Sequence, residues 1–574
     1  MSSPYPSLQT MDLPNPEIWE INPPLDFHAA LETQFKPLQT TYPGMIQFAK
    51  SNKSSPFLRF DHKWHLDSFL GDIPLRSGPF SGRIQSFKDG KATNEIKDIS
   101  GFCKITHILD ANKMIQGDYP ISQHPALPSP GKKSAKLYSK IHDPNNQAYV
   151  DGLACYLLSK LREAGHSPHF SLFYGAYLAI AKQYYYNITD DYPEIRFESW
   201  FWKRQKEGVF KLIAFKGNTP LKPDDPLIDS PEEDLLESDS SGSESSSSLS
   251  EFYSKHNYSE FSGSIRSASI TTASDNLDRS SNSDESDGSD ESDEIGEEYK
   301  FFAGISDFPT MLMFLETNTD TMDSLLKDGN PEMDAEIGTQ FWEDRWTAWL
   351  FQVIAALCQI QSLWGMTHND LHSNNILWIK TDAEFLFYKT NDGRKWKVPT
   401  YGKLFRIIDF GRAIFTHNGT LCVSDDYLPE NEAGTQYNFG PFYNPKEPRV
   451  YPNPSFDLCR LSVSIIEALF LENPPADKED GVIISSEDGR VQRETVSELF
   501  NVLWSWLIDD DGRNVLWDSD QSERYPGFDL YCVIAQKVKG AVPREQLEKP
   551  LFTRFVCESP FELPEGEKVY SLFC

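Results

Sequence analysis

The chain has 574 residues, 39% of them hydrophobic and 13% aromatic, which is enough apolar material for more than one folded core. Its formal net charge of −32 opposes binding to nucleic acid through bulk electrostatics. Its 8 cysteines include no Cys-x-x-Cys pair, so the sequence predicts neither a disulfide framework nor a zinc module and fits a reducing compartment.

The sequence gives no indication of a membrane segment or a secretion signal. No apolar run approaches the roughly 20 residues that a transmembrane helix needs. The first residues, MSSPYPSLQTMDLPNPE, have neither a basic nor an apolar signal region. We therefore expect a cytoplasmic protein that does not insert into membranes.

The first part of the chain is predicted to be β-rich. Residues 1–100 contain many prolines and aromatic residues and a short predicted helix in DFHAALETQF, but the sequence assigns them no role. Within 101–223, CKITHILD, SAKLYSKI and FSLFYGAYLAIA are predicted strands. NNQAYVDGLACYLLSKLREAGH has apolar residues at helical spacing and is a predicted helix.

Residues 224–298 are predicted to be a disordered acidic insertion. They contain 22 acidic and 3 basic residues, and serine fills much of the rest. Such a segment has too little apolar surface to bury to offset the conformational entropy that it would lose on folding. Within the insertion, EFYSKHNYSEF is either a docking motif for partners or a fluctuating hydrophobic cluster. The serines of SDESDGSDESDE are candidates for phosphorylation, and the alternative is a solvating linker.

Residues 299–574 are predicted to be largely helical. The segment opens with a strand, FPTMLMFLE, and continues with a long helix from about Gln340 to Trp364. The Asp-Gly of KTNDGRKWK predicts a hairpin turn, and KLFRIID a buried strand. Two more helices are predicted in SFDLCRLSVSIIEALF and TVSELFNVLWSWLI, the second opened by a Thr495/Glu498 capping box. The whole pattern predicts an α+β fold in two lobes.

The stretch THNDLHSNNILW collects the polar side chains that phosphoryl transfer uses. That reaction needs a carboxylate beside the attacking hydroxyl and oxygen ligands for magnesium. Asp370 suits the first task, and Asn375, five residues on, suits the second together with Asp409 of IIDFG. Gly411 is predicted to relax the backbone where Asp409 turns toward the metal.

HNDLHSNN together with DFG resembles the catalytic loop and magnesium loop of protein kinases. With KVPTYGKLFRIIDFGRAIF, SPHFSLFYG and AYVDGLACYLLSKL, residues 101–550 resemble serine/threonine kinases of large nucleocytoplasmic DNA viruses. The resemblance implies a bilobal protein-kinase-like fold, ATP and magnesium as cofactors, and transfer of the γ-phosphate to protein substrates. It also implies a place in host cytoplasm or in a virion.

The resemblance assigns roles to individual residues. Asp370 would be the catalytic base, and Asn375 and Asp409 the metal ligands. His368, Phe410 and Gly411 would support the loops. Asp457 would anchor the catalytic-loop backbone, or else be a helix N-cap after Ser455 and Phe456. Phe314, Leu315 and Glu316 would form the hinge that faces adenine.

The nucleotide-positioning lysine is predicted within AKLYSKI, which offers Lys136 and Lys140 on one strand face. Lys140 is preferred because it precedes Ile141 and ends the predicted strand. Asp151 in the following helix is its predicted partner, with one methylene fewer than the glutamate that the resemblance implies. An exposed, solvating role is the alternative for Asp151.

Several features depart from the kinase pattern. No G-x-G-x-x-G loop precedes the predicted lysine strand, and Asn369 and His372 stand where arginine and lysine are usual. Two alternatives therefore stay open. One is a pseudokinase scaffold, and the other is a small-molecule phosphotransferase of the aminoglycoside or choline kinase type. The intact Asp409-Phe410-Gly411 favours a protein substrate.

Overall fold

The computed structural model describes residues 15–119, 126–129, 134, 138–216, 219–221, 299–327, 329–431, 433–487, 490–557 and 566–574. The predicted disordered insertion at 224–298 lies outside the described residues, and so does Lys136.

The described residues form strands and helices in the following order. The strands are β1 (Ile18–Glu20), β2 (Phe35–Gln39), β3 (Leu58–Phe60), β4 (Trp64–Phe69), β5 (Gly78–Lys88), β6 (Lys91–His107), β7 (Phe173–Asn187), β8 (Lys211–Lys216), β9 (Thr219–Pro220), β10 (Tyr299–Glu316), β11 (Asp320–Thr321), β12 (Ile376–Lys380), β13 (Phe385–Lys389), β14 (Lys395–Pro399), β15 (Lys403–Ile407), β16 (Ile414–His417), β17 (Thr420–Val423), β18 (Ile483–Glu487), β19 (Arg490–Arg493) and β20 (Val569–Ser571). The helices are α1 (Leu25–Glu32), α2 (Pro43–Phe48), α3 (Ala111–Gln116), α4 (Ser139–His142), α5 (Gln147–Glu163), α6 (Tyr192–Ile195), α7 (Ser199–Lys206), α8 (Gln340–Trp364), α9 (Phe456–Phe470), α10 (Glu498–Trp506), α11 (Asp529–Lys537), α12 (Pro543–Gln546) and α13 (Pro550–Thr553). Short 3-10 helices lie at Asp323–Leu326, Ser373–Asn375, Asp425–Tyr427 and Gly440–Phe442.

The fold is mixed α/β, with a β-rich region before residue 317 and most of the longer helices after it. The main sheet is antiparallel and has the strand order β2-β7-β10-β6-β5-β4. Strand β8 pairs with β10 on one side and with β9 on the other. Strands β2, β4 and β5 therefore share one sheet with later strands, and the predicted boundary at residue 100 falls inside β6.

Most of the predicted elements are confirmed. CKITHILD overlaps the end of β6, which stops at His107, and FSLFYGAYLAIA overlaps β7, which begins at Phe173. FPTMLMFLE lies in β10, and the helix predicted between β6 and β7 is α5. KTNDGRKWK forms the hairpin of β13 and β14.

The strand predicted at SAKLYSKI is wrong. Residues 139–142 form the single helical turn α4, and residues 135–137 lie outside the described part of the chain. Tyr138 and Ile141 are both buried. Their separation of three residues is helical spacing, whereas a strand would have placed alternate residues on one face.

Helix α8 has the bounds that the sequence predicts and lies in the core of the helix-rich region. Thr339 caps its start, and Gly365, with φ of 56°, ends it in the left-handed conformation that glycine adopts without strain. Among its buried polar residues, Gln352 donates to Lys403 O at 3.0 Å and accepts from Phe405 N at 3.0 Å. None of the helices in the described ranges has the length and apolar character required to cross a membrane.

The capping box predicted for α10 is wrong in register. Ser497 is the N-cap, and its hydroxyl accepts from Phe500 N at 3.0 Å. Glu498 is the first residue of the helix. Thr495 lies before the cap, where its hydroxyl accepts from Ser497 N at 3.3 Å. The helix thus begins two residues later than the Thr495/Glu498 spacing predicts.

We expect Leu357→Ala to lower the free energy of unfolding by about 2–5 kcal/mol, because Leu357 is fully buried in α8 and its removal leaves a cavity. Urea denaturation measures the change. Ser362→Ala, at a half-buried position of the same helix, is the control and should change stability by less than about 0.5 kcal/mol. Equal effects of the two substitutions would contradict the central position of α8.

Candidate functional site

The loop after α8 is held by a buried carboxylate. Both oxygens of Asp457 accept from His368 N, at 3.1 and 3.0 Å, and Oδ1 also accepts from Asn369 N at 2.9 Å. Asp457 lies in the first turn of α9 and is completely buried. Ser455 takes the N-cap position, so the bonds of Asp457 go to the loop rather than to its own helix.

His368 connects this loop to the segment that contains Asp409. Its Nε2 lies 2.8 Å from Ile408 O, and its Nδ1 lies 3.3 Å from Asp370 N. One ring nitrogen therefore donates and the other accepts, which is the pattern of a neutral imidazole with the proton on Nε2. The ring also packs on Phe410, with 5.0 Å between ring centroids.

Asn375 has a fixed side-chain orientation. Its Nδ2 donates to Asp370 O at 2.9 Å and lies 3.1 Å from His372 Nε2. Its backbone oxygen accepts from Ile408 N at 3.0 Å, next to Asp409. Because both amide contacts involve Nδ2, Oδ1 is the atom of Asn375 that remains able to face a cation.

The lysine of the site is Lys104, which the sequence analysis missed. Its Nζ lies 2.6 Å from Asp151 Oδ2 and 2.8 Å from Asp409 Oδ1. Burial alone would lower the pKa of Lys104, but the two carboxylates outweigh it and raise the pKa above the ordinary lysine value. A sequence signal existed, since Lys104 is a single cation within the apolar strand CKITHI and needs a partner once that strand is buried.

Asp151 is brought to Lys104 by close packing of α5 on the sheet. A Cβ added at the neighbouring Gly152 would lie 2.6 Å from Met311 Cε of β10, the end of a flexible side chain, so the helix lies close to the sheet at this point. The second oxygen of Asp151, Oδ1, accepts from Phe410 N at 3.0 Å.

Asp409 adopts the left-handed backbone conformation, with φ of 64°. The role predicted for Gly411 is therefore wrong, because the left-handed turn lies at Asp409 itself. Gly411 serves a different purpose, since a Cβ there would lie 3.2 Å from Gln147 Cγ. A non-glycine residue in this conformation costs on the order of 1 kcal/mol, and the ion pair with Lys104 offsets such a cost.

Asp370 is partly accessible, with 27% of its side chain exposed. Its Oδ1 accepts from Tyr531 Oη at 3.0 Å and lies 3.9 Å from Arg412 Nη1. Burial alone would raise the pKa of Asp370, but neighbouring groups outweigh it and hold the pKa below the ordinary aspartate value. The largest of these neighbouring contributions comes from the guanidinium of Arg412.

Lys140 does not lie at this site, contrary to the prediction. Its Nζ is 2.6 Å from Asp425 Oδ2, and Asp425 Oδ1 accepts from Gln147 N at 2.9 Å. The predicted pair of Lys140 with Asp151 is therefore replaced by Lys104 with Asp151. Lys140 and Asp425 instead tie the segment after β17 to the first turn of α5.

The predicted hinge residues use their side chains within the protein. Phe314 packs in an aromatic cluster whose other members include Phe80, at 5.5 Å between ring centroids. Glu316 pairs with Arg162 and lies 3.2 Å from Arg406 Nη1, and its backbone N donates to Leu172 O at 2.9 Å. Neither the Phe314 nor the Glu316 side chain is left to recognise a ligand, and Leu315 is 8% exposed.

The connection between β4 and β5, residues 70–77, ends beside the part of β6 that contains Lys104. Gly78 at the start of β5 pairs with Cys103, and Ser77 Oγ accepts from Ile105 N at 2.9 Å. A phosphate-binding loop next to Lys104 would therefore lie in residues 70–77 and not in the segment before Lys140. Gly117, one glycine of that segment, ends helix α3.

Comparison of the chain with protein-family models finds no matching family, and a search of curated proteins finds no similar sequence.

We expect Lys140→Met to lower the free energy of unfolding by about 3–5 kcal/mol, because it leaves the buried carboxylate of Asp425 without its cation. Urea denaturation measures the loss. Adding Asp425→Asn should restore most of it, since the amide oxygen can still accept from Gln147 N. Lys380→Met removes a lysine that is 67% exposed and should cost below about 1 kcal/mol. A double variant no more stable than Lys140→Met would contradict the pairing.

Proposed function

We propose that the chain is a protein kinase with a bilobal fold, which transfers the γ-phosphate of ATP to serine or threonine hydroxyls of proteins. The observation that carries the proposal is the ammonium group of Lys104 between the carboxylates of Asp151 and Asp409. Asp370 and Asn375 lie in the adjoining loop. The backbone of Ile408, the residue before Asp409, is hydrogen-bonded to His368 and Asn375 of that loop. A scaffold would have no need of this complete set.

The two-lobed arrangement is supported by where these residues lie. Lys104 and Asp151 belong to the β-rich region, on β6 and α5. Asp370 and Asn375 follow α8, and Asp457 lies on α9. The candidate site thus lies where the β-rich and helix-rich regions meet.

Lys104 and Asp151 would position the nucleotide. The formal charges of Lys104, Asp151 and Asp409 sum to −1. The two carboxylates hold the ammonium group of the lysine in place before a nucleotide enters. A phosphate oxygen can take the place of Asp409 at Lys104 Nζ, while Asp151 keeps the ammonium group oriented. Preorganised charge of this kind is the main contribution that a protein makes to phosphoryl transfer.

The residues fit a magnesium ion. Asn375 offers Oδ1, and Asp409 Oδ2 receives no hydrogen bond from the part of the chain that the structure describes. Carboxylate and amide oxygens are ligands that magnesium accepts. When bound, magnesium would neutralise charge on the phosphates, and Asn375 and Asp409 would hold it.

Asp370 would orient the substrate hydroxyl. Tyr531 and Arg412 fix its carboxylate, and its lowered pKa keeps it ionised at neutral pH. An ionised carboxylate accepts a hydrogen bond from the hydroxyl and takes its proton as the bond to phosphorus forms. Residues in this role typically contribute about 10²–10⁴-fold to the rate.

The first test is transfer of phosphate from magnesium-ATP to casein. We expect wild type to phosphorylate serine or threonine, and Lys104→Met, Asp370→Asn and Asp409→Asn each to lose at least about 100-fold in kcat/KM. Lys182→Met replaces an exposed lysine of β7 in the same sheet and should retain the wild-type rate. A wild-type protein with neither transfer nor magnesium-dependent ATP binding would contradict the proposal and favour a scaffold.

The pH dependence of the rate offers a second test, through Arg412→Gln. Removing this guanidinium lets burial raise the pKa of Asp370, so the carboxyl takes up a proton at a higher pH. As the pH falls, the variant should lose kcat/KM at least about one pH unit before wild type does. Arg83→Gln, at an exposed ion pair with Asp98, is the control. If wild type and Arg412→Gln lost kcat/KM at the same pH on acidification, Arg412 would not be the group that lowers the pKa of Asp370.

A further inference from the structure

A small, partly open cavity lies in the β-rich region, away from the site described above. Its wall is formed by side chains and backbone from α2, β3 and β7 and from the connections next to them. The lining residues are Thr40, Tyr42, Met45, Leu58, Arg59, Phe60, His62, Phe173, Gly175, Ala176 and Tyr177. The free space accommodates about one water-sized particle.

Arg59 brings a positive charge into this wall without a negative partner. It is 6% exposed, and no ion pair joins it to any carboxylate within the described ranges of the chain. Its partners are neutral, because Nη2 donates to Tyr177 Oη at 2.6 Å and the guanidinium lies 5.5 Å from the centre of the Tyr177 ring. Asp61, two residues further on, pairs with Lys160 instead.

Polar atoms of the lining residues also lack partners. Arg59 Nε and Tyr42 Oη are buried and make no hydrogen bond to the described residues. Burial, together with the charges of Arg59 and Lys160, lowers the pKa of His62 to about 3, so His62 lines the cavity as a neutral ring. The lining therefore contains one positive charge and polar atoms without partners, and no carboxylate is among the lining residues.

A buried charge without a counter-charge is costly, and proteins pair such groups or coordinate them with ions. The size of the cavity excludes a phosphate ester or a nucleotide. We propose that the cavity binds one small monovalent inorganic anion of the size of chloride, with the guanidinium of Arg59 as its main ligand. A neutral water molecule would satisfy hydrogen bonds but would leave the charge of Arg59 uncompensated.

The proposal is independent of the kinase proposal, and its test uses the full chain without nucleotide. Thermal unfolding is followed as sodium gluconate is replaced by sodium chloride at constant ionic strength, since gluconate is too large to enter. We expect chloride to stabilise wild type in a saturable way. The apparent unfolding constant should fall about tenfold once chloride is about ten times its dissociation constant.

Arg59→Met should abolish this chloride dependence, while Arg83→Met, at an exposed arginine, should keep it. Crystals of wild type soaked in bromide give a second measurement that does not depend on the folding of a variant. An anomalous peak within hydrogen-bond distance of the Arg59 guanidinium would support the proposal. No peak there, or equal effects of chloride and gluconate on wild type, would overturn it.

Discussion

The interaction on which the candidate site depends is the pairing of one buried ammonium group with two carboxylates. Lys104 belongs to a strand, Asp151 to a helix, and Asp409 to a loop more than 250 residues further along the chain. Each would be costly to bury alone, and together they compensate one another. The close packing of α5 on the sheet beside Gly152 and the left-handed conformation of Asp409 accompany this pairing of the three groups.

The loops around this pairing are held by the same physical device, a buried carboxylate that accepts from backbone amides. Asp457 holds the loop before Asp370, and Asp425 holds the start of α5 while it pairs with Lys140. Carboxylates that accept several N–H groups fix a backbone more firmly than apolar packing does, because the bonds are directional and charge-assisted. Both loops are thereby positioned by groups that are part of the chain itself.

Residues at fixed offsets within one segment could be predicted from the sequence, and residues paired across segments could not. The loop with Asp370 and Asn375 and the full extent of α8 follow from local spacing and periodicity. The lysine does not, because a strand and a helical turn compete for the same apolar pattern at SAKLYSKI, and only tertiary packing decides between them. Lys104 lies 47 residues before its partner Asp151, so no local signal connects the two. The left-handed conformation of Asp409 could not be predicted from the sequence either, because residues other than glycine seldom adopt it.

The arrangement of β8 between β9 and β10 has a consequence for how this chain can vary in length. Strand β9 ends at Pro220 and β10 begins at Tyr299, and Thr219 and Tyr299 both pair with Lys216. The end of β9 and the start of β10 are thus held about two strand spacings, roughly 10 Å, apart. Closing a loop between fixed ends costs only about 0.6 kcal/mol more for each doubling of its length. Insertions or deletions between these two points would therefore change the size of the protein with little effect on the sheet or on the site that it helps to form.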